Sequence, residues 1–581
     1  MLQINTGKLF TREIERTNEL RGVLYTNARL PWRRDVVTAA GTLRSTDSGL
    51  RGRAVVYELE ERIEMGPTGP GVLVSHTIGP FLQDFSVVAS FALNVVVAPD
   101  RGIVDRLVSG RPEFASYDAP SKFVRRFFDE TVWVDEHDAD ELIRFVDELL
   151  GLERRSFLAA IRAMRTYVAG LHRLQDDLGL AYTLLVSAVE SLAQNFDGYE
   201  TSWTDVEERK RSAVDEALRR ASPATKDRVR HAIASVEHPS LARRYRAYVL
   251  DRVDNSYFRT GDALLGGAVG RRELSEALRQ AYAIRSHYVH NLKELPDELS
   301  HPFGHWESTT VEGRPALTFQ GLSRLTRHAI RAFVRERPKV EREPYDYALE
   351  QSGVVSMRLA AECWIWQPLL HPREARQRFQ GLLEQVAAIV SRSEGAKLTD
   401  IRAMLGDVEK LMPYAPKSAR PALYALYALF TGIVSAEQRR PRADEFMRRF
   451  AELGNIPAPE ILVARTCFGS TDDWALEVHA RAYELYWRER WTPTGLHAPR
   501  LLEAAMALVL AERHRTTGDL EGARRLVADA ADNYPGQPKL IQLVETFDGA
   551  DSLSWRDLLL PRKVDDDGKN LGQGEQADGN P

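Results

Sequence analysis

Tyr282-Ala283-Ile284-Arg285-Ser286-His287-Tyr288-Val289-His290-Asn291 reads as the closing turns of a helix predicted over 273–290. After it, the run from Leu292 to Pro296 leaves the helical pattern, and Asn291 tolerates the left-handed conformation that ends helices. His290 is therefore expected in the last turn. Arg285 is a permanent planar cation suited to phosphate oxygens, and His290 carries a side chain whose charge changes near neutral pH. Such a pair can hold a phosphodiester and move protons at it without a metal ion. On an ideal helix the two lie about 140° apart, which argues against a compact pair on one face. A long arginine stem or a second copy of the chain would answer that objection.

Upstream, the pattern is helical from about Asp118. Segments 138–150 and 156–172 carry apolar residues at three- and four-residue spacing, with acids opening the first. Leu178-Gly179-Leu180-Ala181-Tyr182-Thr183-Leu184-Leu185-Val186-Ser187-Ala188-Val189-Glu190-Ser191-Leu192-Ala193 is apolar on several faces, hence largely buried, with Glu190 its lone acid. A buried acid must be paired or protonated, so Glu190 either orients an arginine or sits at a packing defect. Further helices are expected at 206–221, 224–236, 241–253 and 317–336. Residues 261–270, with Gly266-Gly267 and Gly270, form a flexible connection, either a lid or an ordinary interhelix loop. Between Asp205 and His290 there are 17 Lys and Arg against 12 Asp and Glu, in a chain whose net charge is −5. A basic module in an acidic chain suits a polyanion; solvated helix faces paired with nearby acids are the plainer alternative.

The first 112 residues read as β-rich. Short β-branched runs at 36–43, 53–59, 71–75 and 91–97 are punctuated by Gly and Pro, as in Met65-Gly66-Pro67-Thr68-Gly69-Pro70-Gly71. A sandwich or open barrel is expected. The glycine-rich turn reads as a hairpin, since it lacks the Gly-Lys-Ser/Thr ending of a phosphate loop. Past a linker at 338–344, helices are predicted at 345–366, 372–392, 397–412, 421–436, 443–453, 473–490 and 499–517. Ala504 to Gln537 follows the 34-residue tetratricopeptide period at Leu510, Gly518-Asp519-Leu520, Ala523, Val527, Ala530 and Pro535. A TPR-like α-solenoid presenting a binding surface is the expectation, with a merely bracing helical domain as the alternative. The tail at 561–581 holds too little apolar surface to order.

With 581 residues, 44% hydrophobic and 28% charged, the chain has the composition of a soluble multidomain protein. No apolar run reaches the ~20 residues that cross a bilayer. The first residues lack the features of a signal peptide, so a cytoplasmic location is expected. Cys363 and Cys467 are expected to be reduced, buried and inert, and two thiols do not make a zinc site. His287, His290, His301 and His305 lack a matching Asp or Glu and are broken by Pro296 and Pro302, so no metal site and no cofactor is expected.

The pattern Arg285-Ser286-x-x-x-His290, closing a helix in a helical domain, resembles the R-x4–6-H motif of the HEPN superfamily. It is most similar to the Apea-like HEPN group of bacterial phage-defence proteins, whose members read "aYxiRSxxvHG"; Tyr282, Ile284 and Val289 match the flanks. Glu190-Ser191-Leu192 matches an "EaL" stretch of such domains. The resemblance spans about 150–336. Together with the patterns read above, it makes a multidomain α+β chain: a β-rich domain at 1–112, a helical connector at 113–150, an all-α HEPN-like bundle at 151–337, a TPR-like region at 345–560 and the tail at 561–581. It also implies a metal-independent endoribonuclease, toxin-like and acting in anti-phage defence. Arg285 would hold phosphate and His290 would act as general acid and base in a homodimeric site. RNA, with tRNA one candidate, would be the substrate. Ser286, His287, Tyr288 and Glu190 would assist, with a protein trigger at the C-terminal region. Asn291 departs from the family's glycine. The alternative is a non-enzymatic HEPN/TPR-like scaffold or an RNA-binding regulator.

Overall fold

Alternation of buried and exposed side chains builds the N-terminal sheet. Strands β1 (Ile14–Thr26), β2 (Val36–Thr38), β3 (Gly41–Ser45), β4 (Ala54–Glu64) and β5 (Val97–Ala98) pair antiparallel in the order β2-β3-β4-β1-β5. In β4, Val55, Tyr57, Leu59, Glu61 and Ile63 point inward, and the strand runs beside β1 from Ile14 opposite Glu64 to Tyr25 opposite Ala54. Helix α1 (Gly79–Leu93) covers this face with Phe81, Phe85, Val88, Ala89 and Ala92 at helical spacing. The rings of Phe85 and Tyr57 stack with centroids 4.4 Å apart. β1 carries glycine where α1 comes closest, since a Cβ on Gly22 would meet Leu82 at 2.8 Å.

The computed structural model describes residues 1–31, 34–46, 53–65, 76–111, 118–196, 203, 206, 208–236, 241–260, 263, 266–302, 304–347, 350, 359–469 and 473–561. The expected strand at 71–75, most of the glycine-rich turn and all but the first residue of the predicted tail lie outside them, as do residues 348, 349 and 351–358 of the helix expected at 345–366. The chain divides into two units, Met1–Ser356 and Met357–Pro581. It is a mixed α+β protein dominated by helix.

The expected sandwich or barrel is instead one open sheet with a helical layer on it. Of the strand predicted at 91–97, residues 91–93 end α1; Asn94 stops the helix with a left-handed φ of 56° and only Val97–Ala98 joins the sheet. Phe91-Ala92-Leu93 is buried throughout, and such a run has no period by which strand and helix can be told apart.

Seven further helices belong to the functional argument: α2 (Glu136–Gly151), α3 (Arg154–His172), α4 (Leu178–Phe196), α5 (Glu208–Ala217), α6 (Pro223–Val236), α7 (Leu241–Arg252) and α8 (Arg271–Asn291). An eighth, α9 (Phe319–Glu336), joins them. α4 packs against α3, α7, α8 and α9, which is why its sequence is apolar on several faces. One apolar cluster runs without a break from Leu2 to Val334. The stretch expected to be all-helical contains a hairpin, β6 (Ser308–Val311) and β7 (Arg314–Leu317). Its turn residues Glu312 and Gly313 both take positive φ, 48° and 76°, as two-residue hairpin turns require. The predicted linker at 338–344 is held in place: the Val340 amide donates to the Gly151 carbonyl at 2.9 Å and that of Glu343 to Lys8 at 3.0 Å.

The second unit is built from α10 (Ala375–Val390), α11 (Arg402–Leu411), α12 (Arg420–Ile433), α13 (Pro459–Phe468), α14 (Leu476–Arg490), α15 (Arg500–Thr516), α16 (Leu520–Asn533), α17 (Pro538–Thr546) and α18 (Trp555–Leu559). α15 and α16 pack on each other across Gly518, whose φ is 84°, and Asp519 caps α16 by accepting from the Gly522 amide at 2.9 Å. The residues expected from 361 to 366 begin with a 3-10 turn (Ala361–Cys363) rather than an α-helix. Cys363 is exposed, against expectation, because that turn leaves the surface open; Cys467 is largely enclosed and its thiol is pushed up to about 12 by burial. Among the described residues no helix is long and apolar enough to cross a membrane.

Candidate functional site

α8 enters the core along Leu274, Ala277, Leu278 and Ala281, a stripe at helical spacing. Four residues beyond Ala281 the same stripe presents Arg285, and it meets the one acid of α4. The Arg285 Nη2 donates to Glu190 Oε2 at 2.5 Å, and the Tyr282 hydroxyl donates to Glu190 Oε1 at 2.8 Å. Glu190 is 5% exposed at its side chain and Arg285 18%. Two charge-assisted bonds and an adjacent cation are what allow a carboxylate to sit there. The Arg285 guanidinium lies 5.5 Å from the centre of the Tyr282 ring, and that ring is 5.7 Å from Tyr245. Burial, then Glu190, drives the hydroxyls of both tyrosines well above the ordinary phenol range. The Arg285 Nε is buried with no acceptor among the described residues.

The other predicted residues separate into two groups. Tyr288 is fastened: its hydroxyl donates to Asp177 Oδ2 at 3.0 Å, while Asp177 Oδ1 accepts from the Leu180 amide at 2.8 Å and so caps α4. A Cβ on Gly179 would lie 2.4 Å from the Tyr288 ring, so the ring rests directly on that glycine. Tyr288 is thus half-buried and committed to Asp177. Ser286 is half-buried, whereas His287 and His290 are exposed on the last turns of α8.

The helix stops one residue later than expected. Asn291 is still helical, and Leu292 takes the left-handed conformation with φ 50° and ψ 31°. Its amide donates to the Tyr288 carbonyl at 3.0 Å. Position 292, not 291, is thus where the backbone calls for glycine. Nearby, Val289 is 45% and Leu292 80% exposed. His301 and His305 are each engaged elsewhere, their ring nitrogens against the carbonyls of Asp297 at 3.0 Å and Ser121 at 2.8 Å.

The basic segment is partly neutralised: Arg230 is paired with Asp215 and Arg219 with Glu216, while Arg271 and Arg272 stand exposed at the start of α8. Tyr282, Asp177 and Gly179 were not singled out as site residues. Tyr282 was accessible to sequence reasoning, since a residue three before Arg285 shares its helix face; Asp177 and Gly179 gave no local signal.

No family model matches this chain, nor does any curated protein or solved structure.

Proposed function

We propose that the protein is an endoribonuclease of the HEPN type, toxin-like and acting in defence, that needs no metal ion. The reading rests on one observation: Arg285 is fixed in orientation by Glu190 and Tyr282, with His290 exposed in the last turn of the same helix. In the reaction the substrate's 2′-oxygen bonds to phosphorus and the bond to the 5′-oxygen breaks, leaving a cyclic phosphate. A neutral His290 takes the proton of the 2′-hydroxyl, and a charged His290 from a second copy protonates the leaving oxygen. Arg285 holds the non-bridging oxygens. The exposed Val289 and Leu292 beside His290 support self-association at this end of α8. The C-terminal helices, read as TPR-like, would receive the trigger.

The decisive variant is His290→Ala. Its side chain is exposed, so the fold is retained, and both growth arrest on induced expression and cleavage of total RNA by the purified protein should disappear. Unchanged cleavage with contaminants excluded would overturn the reading. The Arg285–Glu190 bond favours a second one, in which the pair only locks α8 to α4 and the chain is a scaffold or an RNA-binding regulator. In that case RNA is retarded in a gel without product, or is not bound at all.

A further inference from the structure

The second unit holds a cavity that none of the foregoing uses. Tyr424, Ala428 and Thr431 recur at three- and four-residue spacing on one face of α12, and Ile461, Ala464 and Phe468 do the same on α13. The two helices pack on each other, and these faces line a space of about 350 Å³. Two of its aromatic walls rest on glycine: a Cβ on Gly432 would run into the Phe468 ring, and one on Gly454 would lie 3.2 Å from the Tyr424 ring. Met447, from the short helix Ala443–Arg449, adds a pliable apolar wall. Sites for small molecules occupy about 300–1,000 Å³ and are mostly apolar with a few placed polar groups. This cavity falls at the lower end of that range.

Its charged groups are of one sign. Arg439 and Arg465 line it, and among the described residues no carboxylate does. Arg465 is committed to the protein. Its Nε donates to the Gly454 carbonyl at 2.8 Å, its Nη2 to Asn455 Oδ1 at 2.7 Å, and its Nη1 stands 3.6 Å from Asp473. It therefore acts as a fixed charge and not as a donor to a ligand. Burial pushes the Tyr424 hydroxyl up while Arg465 pulls it down, so that charge is felt at the cavity wall. Arg439 differs. Its Nε is buried with no acceptor among the described residues, and its Nη1 stands 3.8 Å from the exposed Asp444, beyond hydrogen-bond reach. A buried donor left unmet is costly. A carboxylate is the acceptor whose two oxygens match a guanidinium edge.

We infer that the cavity between α12 and α13 binds a small amphipathic acid, its apolar body against Ile461, Ala464 and Phe468 and its carboxylate on Arg439. The inference does not depend on the nuclease reading. Its test titrates the full chain calorimetrically at low salt with octanoate and, in parallel, with 1-octanol, which has the same carbon chain without the charge. Saturable octanoate binding at one site per chain is expected, tighter than that of octanol by about tenfold or more. Arg439→Gln, at a partly exposed side chain, should erase that preference and leave the octanol affinity where it was. Ala428→Phe fills the space and should abolish binding of both. If Ala428→Phe does not fold, Arg439→Gln alone decides. No saturable octanoate binding, an unchanged preference in Arg439→Gln, or unchanged binding in folded Ala428→Phe refutes the site.

Discussion

Arg285 has two duties that a single substitution cannot separate. Truncating it leaves the Glu190 carboxylate buried with only the Tyr282 hydroxyl, and stranding one partner of a buried pair costs about 3–5 kcal/mol. Arg285→Ala should therefore lower the urea midpoint markedly, and Arg285→Ala combined with Glu190→Gln should recover much of the loss. His290→Ala, at an exposed position, should move stability by no more than about 0.5 kcal/mol. Comparing the two in denaturant and in RNA cleavage distinguishes chemistry from folding. Leu292 gives a second residue-level test. It is a leucine at φ 50° and 80% exposed, so Leu292→Gly removes backbone strain without opening a cavity. An increase of about 1 kcal/mol in unfolding free energy is expected.

At the scale of elements, α8 is seated on α4 at both ends of one contact: the ion pair at Glu190 and the Tyr288 ring on Gly179. Gly179→Ala would drive a methyl into that ring, costing about 1–3 kcal/mol. Amides near the end of α8 should then exchange faster with deuterium than in the parent. Unchanged protection there would mean that the ring seat is not what holds the turn. Much of this arrangement was readable in the amino-acid order. The all-round apolar α4 announced a central helix, its lone Glu190 announced a buried acid in need of a partner, and the end of α8 fell within a residue of its expected place. An arginine partner was one of the two readings open for Glu190, but the choice between them was not readable, because Glu190 and Arg285 are joined only by the packing of two helices and lie 95 residues apart in sequence. The sheet was misjudged for another reason. Its covering layer, α1, ends in Phe91-Ala92-Leu93, and a segment buried on all sides carries no amphipathic period. The β6–β7 hairpin lay in a stretch to which no element was assigned, although Glu312-Gly313 is a turn signal between β-prone residues.

Across the whole molecule, each unit encloses a histidine that burial keeps neutral. His172 in the first unit and His479 in the second are both held down to about 4, chiefly by burial and then by neighbouring arginines. The ordinary value in an unfolded chain is about 6.5. As pH falls through that value the unfolded chain takes up the proton first, so the contribution of each histidine is complete above it and is lost progressively toward pH 4. A group displaced this far contributes at most roughly 3 kcal/mol. His479→Gln retains an acceptor for Arg513, which donates to Nδ1 at 3.3 Å. The variant should therefore show a flatter dependence of unfolding free energy on pH between 6.5 and 4; an unaltered slope would mean that His479 titrates normally.

The double fastening of the last turn of α8 has a consequence for control. With Tyr288 bolted to the start of α4 and Arg285 to its middle, that turn has no slack through which a distant event could swing His290 in or out. On the proposed reading, control of access to the imidazole is expected to act from outside, by masking or unmasking it, much as a cap governs a fixed nozzle.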